Sequence, residues 1–292
     1  MEGGKDFAAQ ERWYGRDLAP PSWRELGGNP LCRAVMRAWE SAAVLRRTRG
    51  RDVRAVELEG RRFALKSTLG DEPRDWWYER LRGSVRDPGS READALTAAL
   101  GAGVRVPRPI LVLAEPAPRV VPPRPGAGPR SLLVLEWIEH DAHLATRLAS
   151  ATEELRRRLC GELLAAVVGL HRAGFYHRDL YVPHVVLERG SDRLVLLDLG
   201  RARREPSPRR RWFAKDLAAL DLSAPSEVGA QLRLRFFAGW CRATGVGKRE
   251  ARVLLRAVVR KSARLAAHVP QDAGTDRAGF PREQPLARGA RP

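Results

Sequence analysis

The spacing of apolar residues divides the chain into a strand-rich first half and a helix-rich second half. Between residues 43 and 66, short apolar stretches alternate with turns, which is typical of an antiparallel meander. Strands are predicted at 43–45, 53–58 and 62–66, with turns at 47–52 and 59–61. Later in the chain the apolar residues recur every three or four positions, which predicts amphipathic helices. We expect an α+β protein with a small antiparallel β lobe and a larger, mainly helical lobe.

Changes in composition set the predicted domain boundaries. Residues 1–41 carry aromatic residues among prolines and glycines, and are predicted to form an irregular lead-in. Residues 42–138 are predicted to form the N-lobe, with a Pro-rich insert at 115–130. Residues 139–269 are predicted to form the C-lobe. The tail at 270–292 has little apolar content and is predicted to be disordered.

The longest predicted helix lies at the start of the C-lobe. Ser150 and Glu153 resemble a capping box at its beginning, and Gly174 is predicted to end it. Further helices are predicted at 91–100, 229–244 and 248–268. The short loop after Gly174 thus lies between the long predicted helix and the later predicted helices.

The third predicted strand carries a possible nucleotide-binding motif, Phe63-Ala64-Leu65-Lys66. Alternation along a strand puts Ala64 and Lys66 on one face, so a small side chain can lie against a base while the ammonium reaches the phosphates. A lysine that merely extends into solvent is the alternative. Lysine occurs only at Lys5, Lys66, Lys215, Lys248 and Lys261 among 53 basic residues. A compact ammonium at this place is therefore informative.

Glutamates near this strand are candidate partners for the same site. Glu92 follows Ser90, the predicted helix cap, and either favours the helix dipole or pairs with Lys66. Glu79 is the weaker candidate for that ion pair. Glu136 ends the next buried strand, where a linker between lobes could present backbone groups to adenine.

The stretch that organises the chain is His177-Arg178-Asp179-Leu180-Tyr181-Val182-Pro183-His184, which follows the long helix. A predicted hairpin then leads to Asp198-Leu199-Gly200. Phosphoryl transfer needs two such carboxylates, because one addresses the acceptor hydroxyl and the other the metal on the nucleotide phosphates. Asp216, further along, is interpreted as a helix-start carboxylate in preference to a brace for the loop.

Taken together, these motifs resemble the lipopolysaccharide kinase (Kdo/WaaP) family of the protein-kinase-like group. The loop 177–184 looks like that family's catalytic loop, with a tyrosine after the aspartate segment and a histidine at its end. Leu197-Asp198-Leu199-Gly200-Arg201-Ala202 is similar to its metal-binding segment, and 215–220 is similar to a stretch found downstream. The resemblance covers residues 42–265.

The resemblance implies a bilobal protein-kinase-like fold that uses ATP and Mg²⁺. The implied reaction transfers the γ-phosphoryl group to a sugar hydroxyl of a lipopolysaccharide core or a related glycolipid. Asp179, within the motif His177-Arg178-Asp179, would be the catalytic base, and Asp198 would hold the metal. Lys66 would contact the phosphates, with Glu92 positioning it.

Two departures from protein kinases leave alternatives open. His184 stands where protein kinases have a metal-binding asparagine and is the second candidate metal ligand beside Asp198, although an imidazole is a poorer magnesium ligand than an amide oxygen. Gly50 is alone between the first two strands, so the phosphate-capping loop is thin. A small-molecule kinase, a protein kinase and a nucleotide-binding pseudokinase scaffold are the alternatives. No Ala-Pro-Glu segment follows Asp198, which argues against a phosphorylation-regulated protein kinase.

Charge and cysteine content bear on partners and location. The net charge of +18 and pI of about 11.1 favour anionic substrates and contact with an anionic membrane surface. No nucleic-acid-binding motif is visible, so no specific nucleic acid is expected. The start has no apolar signal core, and the three cysteines are widely spaced. We expect a cytoplasmic protein that works at the inner face of the cytoplasmic membrane.

Overall fold

The structure is a computed structural model that divides into two compact units. It describes residues 10–48, 50–68, 81, 87–115, 131–191, 193–204 and 209–267. The first unit comprises the residues up to Glu139 together with Val195–Ala202, and the second comprises His140–Leu194 and the residues from Arg203 onward. Glu79, most of the Pro-rich insert and the tail from 270 lie outside the described residues.

A six-stranded antiparallel sheet forms the basis of the first unit. Its strands are β1 (Gln10–Trp13), β2 (Ala43–Thr48), β3 (Arg51–Leu58), β4 (Arg61–Thr68), β5 (Pro109–Ala114) and β6 (Ser131–Glu136). Their order across the sheet is β1-β5-β6-β4-β3-β2. The meander is confirmed, but the turn predicted at 47–52 is shorter, since Thr48 already pairs with Arg51. Gly50 takes a φ of 95°, which suits a glycine in a tight hairpin.

The prediction of an irregular lead-in over 1–41 was wrong for its described part. Besides β1, it contains the helices α1 (Pro21–Arg24) and α2 (Gly28–Ser41). The apolar stripe of α2 consists of Leu31, Cys32, Val35 and Ala38, all buried. This stripe packs in one core cluster with Phe63 and Leu65 of β4, so that face of the strand is closed by the helix. Ala64 and Lys66 consequently lie on the opposite face.

Helix α3 (Pro88–Gly101) lies against β4, β5 and β6. Its cap is not Ser90, as predicted, but Asp87, whose carboxylate accepts a hydrogen bond from the Ser90 amide at 2.8 Å. The helix begins at Pro88. Proline has no backbone N–H, but the first N–H groups of a helix have no partner within the helix, so proline is well tolerated at this position. Glu92 thereby moves beyond the first turn and is buried.

Helices dominate the second unit. They are α4 (Leu144–Ser150), α5 (Glu153–Arg172), α6 (Arg210–Ser223), α7 (Ala230–Ala243) and α8 (Lys248–Ala266). The short strands outside the six-stranded sheet are β7 (His140–His143), β8 (Phe175–Tyr176), β9 (Val185–Glu188), β10 (Leu194–Leu196) and β11 (Arg203–Arg204), and most of β10 belongs to the first unit. β7 pairs with β9, and β8 pairs with β11. The two helices predicted at 229–244 and 248–268 are confirmed, and so is the α+β class.

The predicted capping box of the long helix was wrong. Thr152 caps α5, and its hydroxyl accepts a hydrogen bond from the Leu155 amide at 3.3 Å. Ser150 instead closes α4, where its hydroxyl bonds to the carbonyl of Thr146. Gly174 follows the end of α5 with a φ of 79° and reverses the chain into the loop. No helix in the described part of the chain is long and apolar enough to cross a bilayer.

Candidate active site

The first unit brings three of the predicted residues into one ionic cluster. The ammonium of Lys66, on β4, lies 2.8 Å from Oε1 of Glu92 on α3. The same ammonium lies 2.6 Å from Oδ1 of Asp198, which follows β10. Residues from β4, from α3 and from the segment after β10 thus meet at Lys66. Of the two alternatives for Glu92, the structure shows the ion pair with Lys66.

Burial and charge act together on this cluster. Burial alone would lower the pKa of Lys66, but the carboxylates of Asp198 and Glu92 outweigh it, and the net shift is upward. Burial raises the pKa of Glu92, and the Asp198 carboxylate adds to that rise, while Lys66 opposes it. One ammonium shared by two carboxylates leaves surplus negative charge, which a divalent cation can neutralise.

Backbone geometry presents Asp198 to this cluster. Asp198 takes a left-handed φ of 58° and ψ of 60°, at the start of a 3₁₀ turn over Leu199–Arg201. That turn lies against α3. A Cβ atom at Gly200 would come within 2.9 Å of Oε2 of Glu92, so glycine allows the two segments to approach closely.

The donor set at Asp198 fits a magnesium ion. Its side chain is 32% exposed although Lys66 binds one of its oxygens. Mg²⁺ is commonly held by one or two carboxylates together with phosphate oxygens of the substrate, and this carboxylate suits that arrangement. No group of three or more His, Cys, Asp or Glu side chains in the described ranges could hold a metal ion by itself.

Glu136 has a structural task in the first unit. Its carboxylate accepts two hydrogen bonds from Arg105, at 3.0 and 3.2 Å, and one from the Arg108 amide at 3.1 Å. Its own amide donates to the carbonyl of Arg108 at 2.9 Å. Because the amide of Glu136 is already paired, a backbone hydrogen bond to adenine stays a prediction only for the carbonyl of Glu136.

In the second unit, the buried carboxylate of Asp216 holds the predicted catalytic loop. Its Oδ2 accepts from the amide of His177 at 2.8 Å, and its Oδ1 accepts from the amide of Arg178 at 2.7 Å. The interpretation of Asp216 as a helix-start carboxylate was wrong, because α6 begins at Arg210 and Asp216 is fully buried. Two loop amides instead find their acceptor in one carboxylate.

The Asp216 carboxylate also accepts a hydrogen bond from a histidine. The indole N–H of Trp240 donates to Nδ1 of His171 at 3.0 Å, and an indole nitrogen is never an acceptor. Nδ1 of His171 therefore carries the lone pair, and its Nε2–H donates to Asp216 at 3.2 Å. This chain fixes the tautomer of His171 and the orientation of the Asp216 carboxylate.

Helix α6 supports the loop at two more points. Val182 donates its amide hydrogen to the hydroxyl of Ser223 at 2.8 Å, and Ser223 lies seven residues after Asp216 on the same helix face. Lys215 places its ammonium 3.7 Å from Oδ1 of Asp179. Sequence reasoning missed Lys215, although the scarcity of lysine that pointed to Lys66 applies to it equally.

Arg178 of the loop lies over an aromatic ring. It has a left-handed φ of 67°, and its guanidinium carbon is 4.7 Å from the centre of the Trp212 ring. Arg211 lies 4.6 Å from the ring of the same tryptophan. In phosphorylation-regulated kinases, arginines pair with a phosphorylated residue of the activation loop. Here Arg178 stacks on the indole ring of Trp212 instead.

His184 closes the loop on itself. Its Nδ1 lies 2.8 Å from the carbonyl oxygen of Asp179, so Nδ1 carries the hydrogen. The lone pair of the neutral ring then lies on Nε2. The rings of His177 and His184 are stacked with centres 6.3 Å apart. The imidazole of His184 thus fixes the backbone of the residue that the sequence predicts as the base, and its metal-binding role stays a prediction.

Comparison with known proteins adds independent information. The sequence profile described as the lipopolysaccharide kinase (Kdo/WaaP) family matches residues 33–238. A curated relative, the lipopolysaccharide core heptose(I) kinase WaaP of Pseudomonas aeruginosa, is 40% identical over 89 residues. That match spans 27% of this chain and 33% of the relative, which is about a third of its length.

A solved structure described as WaaP in complex with acyl carrier protein is also similar. It has a TM-score of 0.60 and 26% sequence identity, and the match covers 80% of this chain and 91% of the other. This likeness confirms the predicted kinase-like fold class. The family profile extends over more than half of the sequence, and the chain belongs to the lipopolysaccharide kinase (Kdo/WaaP) family.

Proposed function

We propose that this chain transfers the γ-phosphoryl group of ATP to a sugar hydroxyl of a lipopolysaccharide core or a related glycolipid. The observation that carries the proposal is the cluster of Lys66, Glu92 and Asp198, in a chain that belongs to a lipopolysaccharide kinase family. A lysine held between a helix glutamate and a metal-binding aspartate is the arrangement that positions nucleotide phosphates in kinases.

On the nucleotide side, Lys66 and Asp198 have complementary tasks. Mg²⁺, when bound, neutralises charge on the phosphate oxygens. Asp198 would hold that ion, and Lys66, kept in place by Glu92, would donate to the phosphates. Ala64 lies on the same strand face and leaves room for the base. These residues orient the γ-phosphoryl group and stabilise its charge without covalent chemistry.

On the acceptor side, Asp179 would accept the hydroxyl proton. Its loop is fixed by the hydrogen bonds from His177 and Arg178 to Asp216. The ammonium of Lys215, next to the Asp179 carboxylate, would stabilise negative charge that develops as the acceptor oxygen attacks. The strongly basic chain supports an anionic acceptor such as a phosphorylated glycolipid.

The test is transfer of labelled phosphate from ATP to purified lipopolysaccharide, measured with and without Mg²⁺. We expect Lys66→Met to weaken ATP binding and to lower transfer by about 100-fold, because a preorganised cation at the phosphates is lost. Lys66→Arg retains the charge but has a planar head that fits the two carboxylates less well, so it should also lose most activity. Lys248→Met, at an exposed lysine, is the matched control.

Calorimetry with Mg-ATP separates the remaining alternatives. If the wild-type protein does not bind Mg-ATP, the enzyme proposal fails and a scaffold is favoured. If it binds nucleotide but phosphorylates only a protein or a small molecule, the acceptor assignment is wrong.

A separate prediction concerns Lys215. Lys215→Met keeps the aliphatic stem and removes the charge near Asp179, so kcat should fall by about 100-fold with the affinity for ATP unchanged. Lys215→Arg should recover part of that loss. The measurement is kcat and the KM for ATP in each variant, and wild-type kcat in Lys215→Met would exclude the role proposed for this lysine.

A further inference from the structure

Helix α8 carries a continuous row of exposed arginines that the proposed chemistry does not use. Its members are Arg249, Arg252, Arg256, Arg260 and Arg264, all exposed. They recur every three or four residues, so they share one face over about 22 Å of helix. We call this face the α8 arginine face.

The rotation of α8 is fixed by its other side. Leu254 and Val258 are buried, and α8 packs along α6. The hydroxyl of Ser262 bonds to the carbonyl of Ala218 and to the carboxylate of Asp221, each at 3.1 Å. The arginine face consequently points outward.

Among the residues of α8 itself, all of which the structure describes, little negative charge offsets the face. Glu250 is the one acidic residue of α8, and it lies at the margin, where it pairs with Arg210 at 2.8 Å. Two apolar side chains lie among or beside the arginines, Val253 with 46% and Val259 with 59% of their surface exposed. The result is a basic helix face with small exposed apolar side chains.

We propose that the α8 arginine face docks the protein on an anionic lipid bilayer. Basic side chains spread along a line match a planar array of lipid phosphates, and the exposed valines can enter the headgroup region. The residues of this helix offer no aromatic ring on which nucleic-acid bases would stack. The choice of a bilayer over another polyanion rests on the proposed function, because a glycolipid acceptor lies in a membrane.

Vesicle sedimentation tests this inference with the full chain and without catalysis. Vesicles of phosphatidylcholine mixed with phosphatidylglycerol should bind the protein, vesicles of phosphatidylcholine alone should not, and added salt should release it. Each basic residue near such a surface contributes roughly a fivefold change in affinity, so Arg256→Gln with Arg260→Gln should weaken binding by about 30-fold.

The matched control is Arg33→Gln with Arg37→Gln. These two arginines are also exposed, four residues apart on an amphipathic helix, α2, and the variant loses the same charge. It should bind vesicles within about threefold of wild type, well inside the loss expected for two contacting arginines. Equal losses in the two variants would show that net charge acts rather than this face, and no loss in the α8 variant would overturn the proposal.

Two further measurements separate this inference from the proposed function. Asp179→Ala should bind vesicles as wild type does, whether or not the chain is a kinase. The α8 variant should phosphorylate detergent-solubilised lipopolysaccharide at the wild-type rate. Tighter binding of wild type to an acidic protein or an oligonucleotide than to anionic vesicles, abolished by the α8 changes, would assign the face to that partner and refute the bilayer.

Discussion

Asp179→Ala is expected to lower phosphoryl transfer by about 100- to 10,000-fold, the range typical of removing a general base. The carboxylate sits in a loop whose backbone is held by hydrogen bonds to Asp216 and from His184, so alanine should leave the loop in place while removing the base. ATP binding should persist, because Lys66 and Asp198, the residues proposed to bind the nucleotide and its metal, are unchanged. The measurement is initial rate with purified lipopolysaccharide together with the Kd for Mg-ATP by calorimetry.

Asp179→Asn is the control for shape. Asparagine has nearly the same size but accepts no proton, so it should be as inactive as alanine while unfolding at the wild-type temperature. Wild-type rates in either variant would remove Asp179 from the role of base. Loss of ATP affinity together with the rate would point to a nucleotide contact instead.

Asp216→Ala is expected to have the largest effect on stability. It removes one buried acceptor shared by two loop amides and His171, and the free energy of unfolding should fall by about 3–5 kcal/mol. Activity should fall with it, because the loop that carries Asp179 loses its anchor. Urea denaturation measures the first quantity, and kcat measures the second.

Smaller changes on the same network keep this prediction testable if Asp216→Ala does not fold. Ser223→Ala leaves the Val182 amide without its acceptor and should cost about 1–3 kcal/mol. Trp240→Phe removes the donor to His171 together with part of a fully buried ring system, so it should also lower stability while leaving the loop amides bonded to Asp216. The idea of a loop anchored by α6 would be untenable if Ser223→Ala left hydrogen exchange at the Val182 amide unchanged.

The sequence pattern offered the ion pair between Lys66 and Glu92 as one of two alternatives, the resemblance favoured it, and neither predicted its setting. Alternation along β4 and the position of Glu92 near the start of a helix were enough to name the pair beside the helix-dipole role, but not to choose between them. The cluster also recruits Asp198, which is 132 residues from Lys66 in the chain. Contacts at that separation leave no periodic signal, so only the fold could supply it.

The missed helix α2 shows a different limit. The buried positions Leu31, Cys32, Val35 and Ala38 have helical spacing, so the signal was present in the sequence. Glycine and proline just before them favoured an irregular interpretation. Here a local rule about turn residues was given more weight than periodicity, and the packing of α2 on the sheet decided the outcome.

Asp216 could not have been assigned from local sequence. As a carboxylate near a helical pattern, it matched the common role of helix-start residues. Its actual partners are the amides of His177 and Arg178, which come from another element. Lys215 differs, because the scarcity of lysine in this chain could have pointed to it, as it did to Lys66.

The stacking of Arg178 on Trp212 has a consequence for control of the protein. A phosphate that pairs with an arginine is added and removed by modifying enzymes. The indole of Trp212 is part of the chain itself, so its contact with Arg178 needs no modification. The position of Arg178 in the structure therefore involves no phosphorylated residue. Under the proposed function, the rate of transfer would depend on the amounts of protein and acceptor and not on a phosphorylation switch.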